Sequence, residues 1–271
     1  MTKPYRYFIM FLTYLGFAIS GIIIAYIIIK GVPNISPGLF SLKYNSENVS
    51  IMPSVIATLF TIIITLIISL PVGIFTAIYL SQYAKNKVFI KLVRFSTEIL
   101  SSIPSIVYGL FGYLFFVTRQ GLGLGMGYSM IAGSLTLAIM VLPTIIRTTE
   151  EAILTVNPLQ AHASLALGAT KIQTIFKVVL PEAMDGILGG IFLSTGRIVG
   201  ESAALIYTMG TEPQIPKALG DSARSLAVHM YVLSSEGLHV NEAYATAVLL
   251  LVFVLAINFI STKISKKLAG N

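Results

Sequence analysis

Six apolar runs, each near the length that crosses a bilayer, constrain this chain more than any other feature. They are Tyr7–Ile29, Ile56–Tyr83, Ile99–Val117, Tyr128–Ile146, Ile187–Ile206 and Ala243–Ile260. A hydrocarbon core about 30 Å thick takes about 20 helical residues. Within it every backbone N–H and C=O must be satisfied internally, so runs of this length are helices. Only 11% of the residues are charged, against about a quarter in soluble domains, and the mean hydropathy is +0.86. The fold class that follows is an all-α membrane protein with six transmembrane helices. The second run is overlong, and Pro71-Val72-Gly73 predicts a kink near its end; the third carries Pro104 near its start. The first, 23 residues behind Lys3 and Arg6, is too long for a signal-peptide core and has no small-x-small cleavage site after it. It reads as a retained helix.

Lysine and arginine set the orientation, because inside loops carry their excess. With the N-terminus inside, twelve of the 18 lie in cytoplasmic segments. Lys30, Lys43, Arg119, Lys217 and Arg224 lie outside, and Arg197 falls within a membrane run. Both termini are therefore expected in the cytoplasm, and the chain in the cytoplasmic membrane of a bacterium or archaeon. The net charge of +7 is that inside-loop bias and needs no nucleic-acid partner. The absence of cysteine excludes disulfides and thiolate-bound metals.

The expected organisation is a first helix and outer link over 1–50, a core over 51–262 and a basic tail over 263–271. Gly121 to Gly127 alternates glycine with apolar residues, but no Lys-Ser or Lys-Thr follows, so it is a connector and not a phosphate loop. The outer segment Tyr207–Asn241 holds an apolar patch, Leu226–Leu233, long enough to dip into the interface but not to cross. The inner segment 147–181 is polar for so apolar a chain. Asn157-Pro158 opens a helix there and Gly168 stops it. A short amphipathic helix between two spans suits docking into another protein's groove.

The spacing of this segment resembles the "EAA" loop of ABC importer permeases. His162-Ala163-Ser164 stands at the first element, with histidine where an acidic residue is usual. Gly168 stands at the glycine, and Val178-Val179-Leu180-Pro181 at the end. Ser102–Gly112, Leu142–Ala152, Ala163–Lys171 and Gly196–Ala203 resemble segments of the phosphate-specific permeases, the PstA type above all. The resemblance covers roughly 54–260. It implies a type I ABC importer permease fold, with His162, Ala163, Ser164 and Gly168 coupling to an ATP-binding subunit. The implied partners are a PstB-like ATP-binding dimer, a PstC-like second permease and an extracytoplasmic PstS-like phosphate-binding protein, beside membrane lipid. ATP and Mg would be used by the ATP-binding subunit; this chain would hold no cofactor.

Arg197 and Glu201 stand out without any family. An arginine at the centre of a membrane helix costs roughly 2.5–3.5 kcal/mol on insertion scales, so it is expected to face a polar path or a partner. Spacing of four puts both side chains on one face. Gly186, Gly190 and Ser194 share that stripe, while Gly196 and Gly200 lie on an adjacent face at small-xxx-small spacing. Two readings stay open. Arg197 could line the substrate path and present its planar fork to phosphate oxygens, held by Glu201, or the two could form a packing salt bridge. Arg147, at the inner end of the fourth run, reads as a topological anchor, although the resemblance implies a transport role. Glu150 and Glu151 read as a solvated helix turn. His162, His229 and His239 lack metal-ligand spacing. No nucleophile–base pair is present, so no catalytic residue is assigned. The function expected is an importer permease for inorganic phosphate. A permease for sulfate, molybdate or a polar solute is the near alternative, and a secondary transporter the distant one.

Overall fold

The computed structural model describes residues 3–120 and 123–268. Gly121 and Leu122 of the glycine-rich turn, and the last three residues of the basic tail, lie outside the described residues. All regular structure among the described residues is helical. Helices α1 (Lys3–Gly31), α2 (Met52–Ile78), α5 (Met130–Thr155) and α12 (Val240–Leu268) carry the four apolar stretches long enough to cross a membrane alone. Helix α2 runs through Pro71 and widens into a π turn over Tyr79–Tyr83.

The third and fifth expected crossings are built differently. Helix α3 (Lys87–Ser102) ends before Pro104, and α4 (Ser105–Gly112, extended by a π turn to Val117) leaves at 100° to it. Proline disfavours helical backbone in the residue before it, and Ile103 is extended at φ −71°, ψ 131°. Ile99–Ser102 therefore belong to α3 and not to the span. The pair can make a fifth crossing only as a broken one.

Helix α9 (Met184–Gly200) has 17 residues, and the expected run to Ile206 is interrupted at Glu201. There the backbone turns extended, at φ −77°, ψ 126°, before α10 (Ala203–Thr208). Helices α6 (Pro158–Ala166), α7 (Lys171–Thr174) and α8 (Leu180–Glu182) occupy the segment between α5 and α9. The outer apolar patch becomes α11 (Leu226–Glu236), which packs on α12 and α2.

Helix α5 is the centre of the bundle. Leu137, Met140, Val141 and Ile145 on it are all buried against a core that includes Ile62, Tyr108, Ile198 and Leu205. Two glycines let α9 come close: a Cβ at Gly186 would collide with Ala152, and one at Gly190 with Thr148. Helix α10 presses on α4 in the same way, where a Cβ at Gly109 would lie 2.9 Å from the Ala204 Cα. From Tyr7 onward helix α1 is exposed apart from its C-terminal contact with α12.

Candidate functional site

The α9–α10 break holds the two residues singled out within the membrane. Arg197 lies in the last turn of α9, half-buried. Among the described residues its guanidinium has no hydrogen-bond or ion-pair partner. Its charge acts on Tyr108 of α4, whose hydroxyl donates to the Leu100 carbonyl at 2.6 Å.

Glu201 does not hold Arg197. Its side chain is buried, and Oε1 accepts the Ala204 backbone N–H at 3.1 Å. Because the chain leaves the helix at Glu201, the expected four-residue pairing geometry ends there. The carboxylate instead satisfies an orphan donor at the start of α10. The expected shared stripe also splits: Gly186 and Gly190 face α5, and Glu201 faces α10.

The adjacent small-residue face makes no close helix contact among the described residues. A Cβ on Gly189, Gly196 or Gly200 would meet nothing within 4 Å, and Leu193 between them is 63% exposed. The hydroxyls of Ser134 and Thr149 on α5, Ser194 on α9 and Ser69 on α2 are buried without hydrogen-bond partners among the described residues. Of these only Ser194, on the stripe shared with Arg197, was singled out by the sequence.

Arg147 is elsewhere. The Gly190–Thr148 contact puts it nearly two turns, roughly 10 Å, from the level of Arg197 along the bundle. Its Nε donates to Glu151 at 3.0 Å, and both side chains are exposed. It lines a cleft of about 330 Å³ with Arg94, Thr97, Glu98, Glu150, Glu151 and Leu154. Glu150 corrects the expectation of a solvated turn. Its side chain is 8% exposed and receives Arg94 from α3, Nη2 at 2.5 Å and Nε at 3.0 Å. The two residues are 56 apart in sequence, so no local pattern could announce the pair.

Helix α6 forms as its sequence requires. The Asn157 side chain accepts the Leu159 N–H at 3.0 Å, Pro158 fills the first turn, and Gly168 takes φ +86°. The N–H of Ala169 donates to the Ser164 carbonyl at 3.2 Å and closes the end, as left-handed glycine caps do. His162 and Ala163 are exposed and Ser164 is half-buried, 3.0 Å from the Thr174 hydroxyl of α7. Leu159, Leu165 and Leu167 are exposed, Leu167 at 90%. Lys171, which opens α7, bonds the Gln82 carbonyl and lies 4.4 Å from the Tyr83 ring centre, tying this segment to the end of α2.

At the opposite end Arg224 is buried and not a loop cation. Its guanidinium carbon lies 5.0 Å from the Tyr44 ring centre. His229, fully buried beside it, has its pKa lowered to about 3, first by burial and then by the Arg224 charge. Neither residue stood out in the sequence.

Four helices long and apolar enough to cross a membrane, with the exposed, capped α6 following the third of them, mark a helical integral membrane protein. Residues 69–269 match the model of the binding-protein-dependent transport system inner membrane component, and the chain belongs to that family. Such subunits are non-catalytic permeases of ABC transporters, with ATP hydrolysis in a separate subunit.

The chain is 36% identical to the probable ABC transporter permease protein YqgI of Bacillus subtilis over 215 residues, 72% of this chain and 71% of that protein. It is 30% identical to the phosphate transport system permease protein PstA of Haemophilus influenzae, over 86% of this chain and 82% of that one. A PstA homolog of Mycoplasma pneumoniae is 34% identical over 69% of this chain, which spans 29% of that longer protein. These relatives make it a PstA-like type I ABC permease. In fold it matches a bacterial alginate ABC transporter at TM-score 0.73, with 15% identity and coverage of 97% and 96%.

Proposed function

We propose that this chain is the permease subunit of an ATP-driven importer of inorganic phosphate and forms half of the translocation path. The observation that carries the reading is Arg197: a half-buried cation in an apolar helix, with no ion-pair partner among the described residues. Desolvating an unpaired charge is expensive. An arginine kept in that state suits an anion that visits it, and its fork matches phosphate oxygens. Glu201 serves the path by holding the α9–α10 break open beside it, and Arg147 with its cleft offers a second cation on the α6 side.

The proposed arrangement has six crossings, counting α3–α4 and α9–α10 as broken spans, with both termini in the cytoplasm. The segments 1–50, 51–262 and 263–271 are the outer link with its helix, the core and the tail. His162, Ala163, Ser164 and Gly168 belong to the helix that meets a PstB-like ATP-binding subunit, where ATP and Mg are used. The bare Gly189–Leu193–Gly196–Gly200 face suits close packing against a PstC-like second permease, and a PstS-like binding protein delivers phosphate from outside. The phosphate name of several relatives supports this substrate over sulfate or molybdate.

The test is ATP-dependent uptake of radiolabelled phosphate by the reconstituted complex, with sulfate and molybdate as competitors. Arg197→Gln and Arg197→Lys are expected to assemble normally and to lose uptake by at least tenfold. Normal assembly with normal uptake removes Arg197 from the path.

A further inference from the structure

Helix α3 leaves one face without a protein neighbour. None of its 16 residues is buried. At 100° per residue, Val88, Leu92, Phe95 and Ile99 share an arc of about 60°. They are 77%, 61%, 59% and 49% exposed. Ile90, Val93 and Leu100 lie on another side and are half-buried, with Leu100 packed against the main core. Lys87 and Lys91 flank the exposed stripe, and Lys85 precedes the helix; all three are exposed. Glu98 is the only carboxylate on α3 and interacts with Arg147, so it leaves the lysine charge at the other end of the helix uncompensated.

A cap, a ring contact and a bend fix the two ends of this helix. Asn86 caps it by accepting the Val88 and Phe89 N–H groups. The Phe89 ring meets Tyr79 edge-on, with centroids 6.2 Å apart, at the end of the α2 span. Tyrosines at the ends of membrane helices mark the headgroup level, and Tyr79 and Tyr83 are both exposed there. The 100° bend at Ile103–Pro104 then sends α4 into the bundle, across the direction of α3.

We propose that α3 lies in the plane of the bilayer, at the headgroup–acyl boundary of the α6-side leaflet, and binds anionic phospholipid. The Val88–Leu92–Phe95–Ile99 stripe enters the acyl region, while Lys85, Lys87 and Lys91 engage lipid phosphates. An apolar stripe with a basic flank, placed at headgroup depth by neighbouring tyrosines, is the pattern of interfacial helices, and lysines held there favour anionic lipid. Arg94 is engaged by Glu150, so the lipid-bound helix is fastened to α5. The inference stands independently of which solute is carried.

The chain contains no tryptophan, so Leu92→Trp makes a single reporter in the full-length protein reconstituted in nanodiscs. Brominated phosphatidylcholine and brominated phosphatidylglycerol are the quenchers. The indole introduced by Leu92→Trp is expected to be blue-shifted and quenched, with phosphatidylglycerol favoured roughly tenfold. Ser101→Trp, on the opposite side of α3, is expected to escape quenching. In the Lys85→Gln/Lys87→Gln/Lys91→Gln background the preference is expected to fall to within about twofold of unity while the Leu92→Trp reporter stays quenched. Emission from Leu92→Trp that is blue-shifted but unquenched places the stripe against protein and overturns the proposal. Equal quenching by the two lipids with all three lysines present overturns its anionic specificity.

Discussion

Arg94 and Glu150 join an exposed amphipathic helix to the central helix of the bundle. Two guanidinium nitrogens of Arg94 converge on one carboxylate oxygen of Glu150, at 2.5 and 3.0 Å. The burial is asymmetric: 53% of the arginine side chain is exposed, but only 8% of the glutamate. Removing the arginine strands a buried carboxylate, whereas removing the glutamate charge leaves an arginine that water can reach. Arg94→Gln is therefore expected to destabilise the purified protein by about 2 kcal/mol, and Glu150→Gln by less than about 1 kcal/mol. Thermal unfolding in detergent measures both. Equal losses contradict the burial argument.

The glycines of α9 divide by face, and substitution should separate them. Gly190→Ala drives a methyl into Thr148, and overpacking of this kind costs about 1–3 kcal/mol. Gly196→Ala meets open space and should leave the isolated chain at least as stable, since alanine is the better helix former. If the bare face receives a second permease, Gly196→Leu should weaken co-purification of that subunit without lowering the unfolding temperature of this chain. Co-purification unchanged by Gly196→Leu would place the second permease elsewhere.

Gly168 ends α6 at φ +86° with nothing within 4 Å of where a Cβ would sit, so the demand is for backbone conformation and not for space. Gly168→Ala is expected to cost about 1 kcal/mol and to misdirect the chain toward α7. The predicted phenotype is an assembled complex whose ATP hydrolysis responds weakly to phosphate-loaded binding protein. Full coupling in Gly168→Ala would show that the helix end tolerates another geometry.

His229 gives the fold an acid limit. Its folded pKa of about 3 lies below the ordinary value near 6.5, so the unfolded chain binds the proton more readily. The associated stability is complete above about pH 6.5 and is lost progressively as pH falls toward 3. Unfolding temperatures measured from about pH 7 to 4 should fall less steeply for His229→Gln than for the parent. Parallel curves would mean that the imidazole takes up its proton alike in the folded and the unfolded chain.

Much of this architecture was legible in local sequence. Apolar length alone marked α1, α2, α5 and α12, because lipid leaves a backbone no alternative to internal hydrogen bonding. Asn157, Pro158 and Gly168 marked α6, because caps act within one or two turns of the residues that make them. The same reasoning exposed Arg197, whose cost in hydrocarbon depends only on its type and place. It misjudged Glu201, since spacing of four assumes an unbroken helix and cannot distinguish an ion pair from a cap across a break. It treated Ile99–Val117 as one span, although Pro104 was visible, because a proline permits a bend without setting its angle.

What only the tertiary structure decided are the partnerships between distant residues. Nothing near Glu150 points to Arg94, nothing near His229 to Tyr44, and nothing in α9 says which of its glycines meets α5. Length, polarity and capping are properties of a stretch of chain, so sequence determines them. Which charge is buried, and against what, depends on how the helices pack around α5, and that is fixed only when every face has found its neighbour or been left without one.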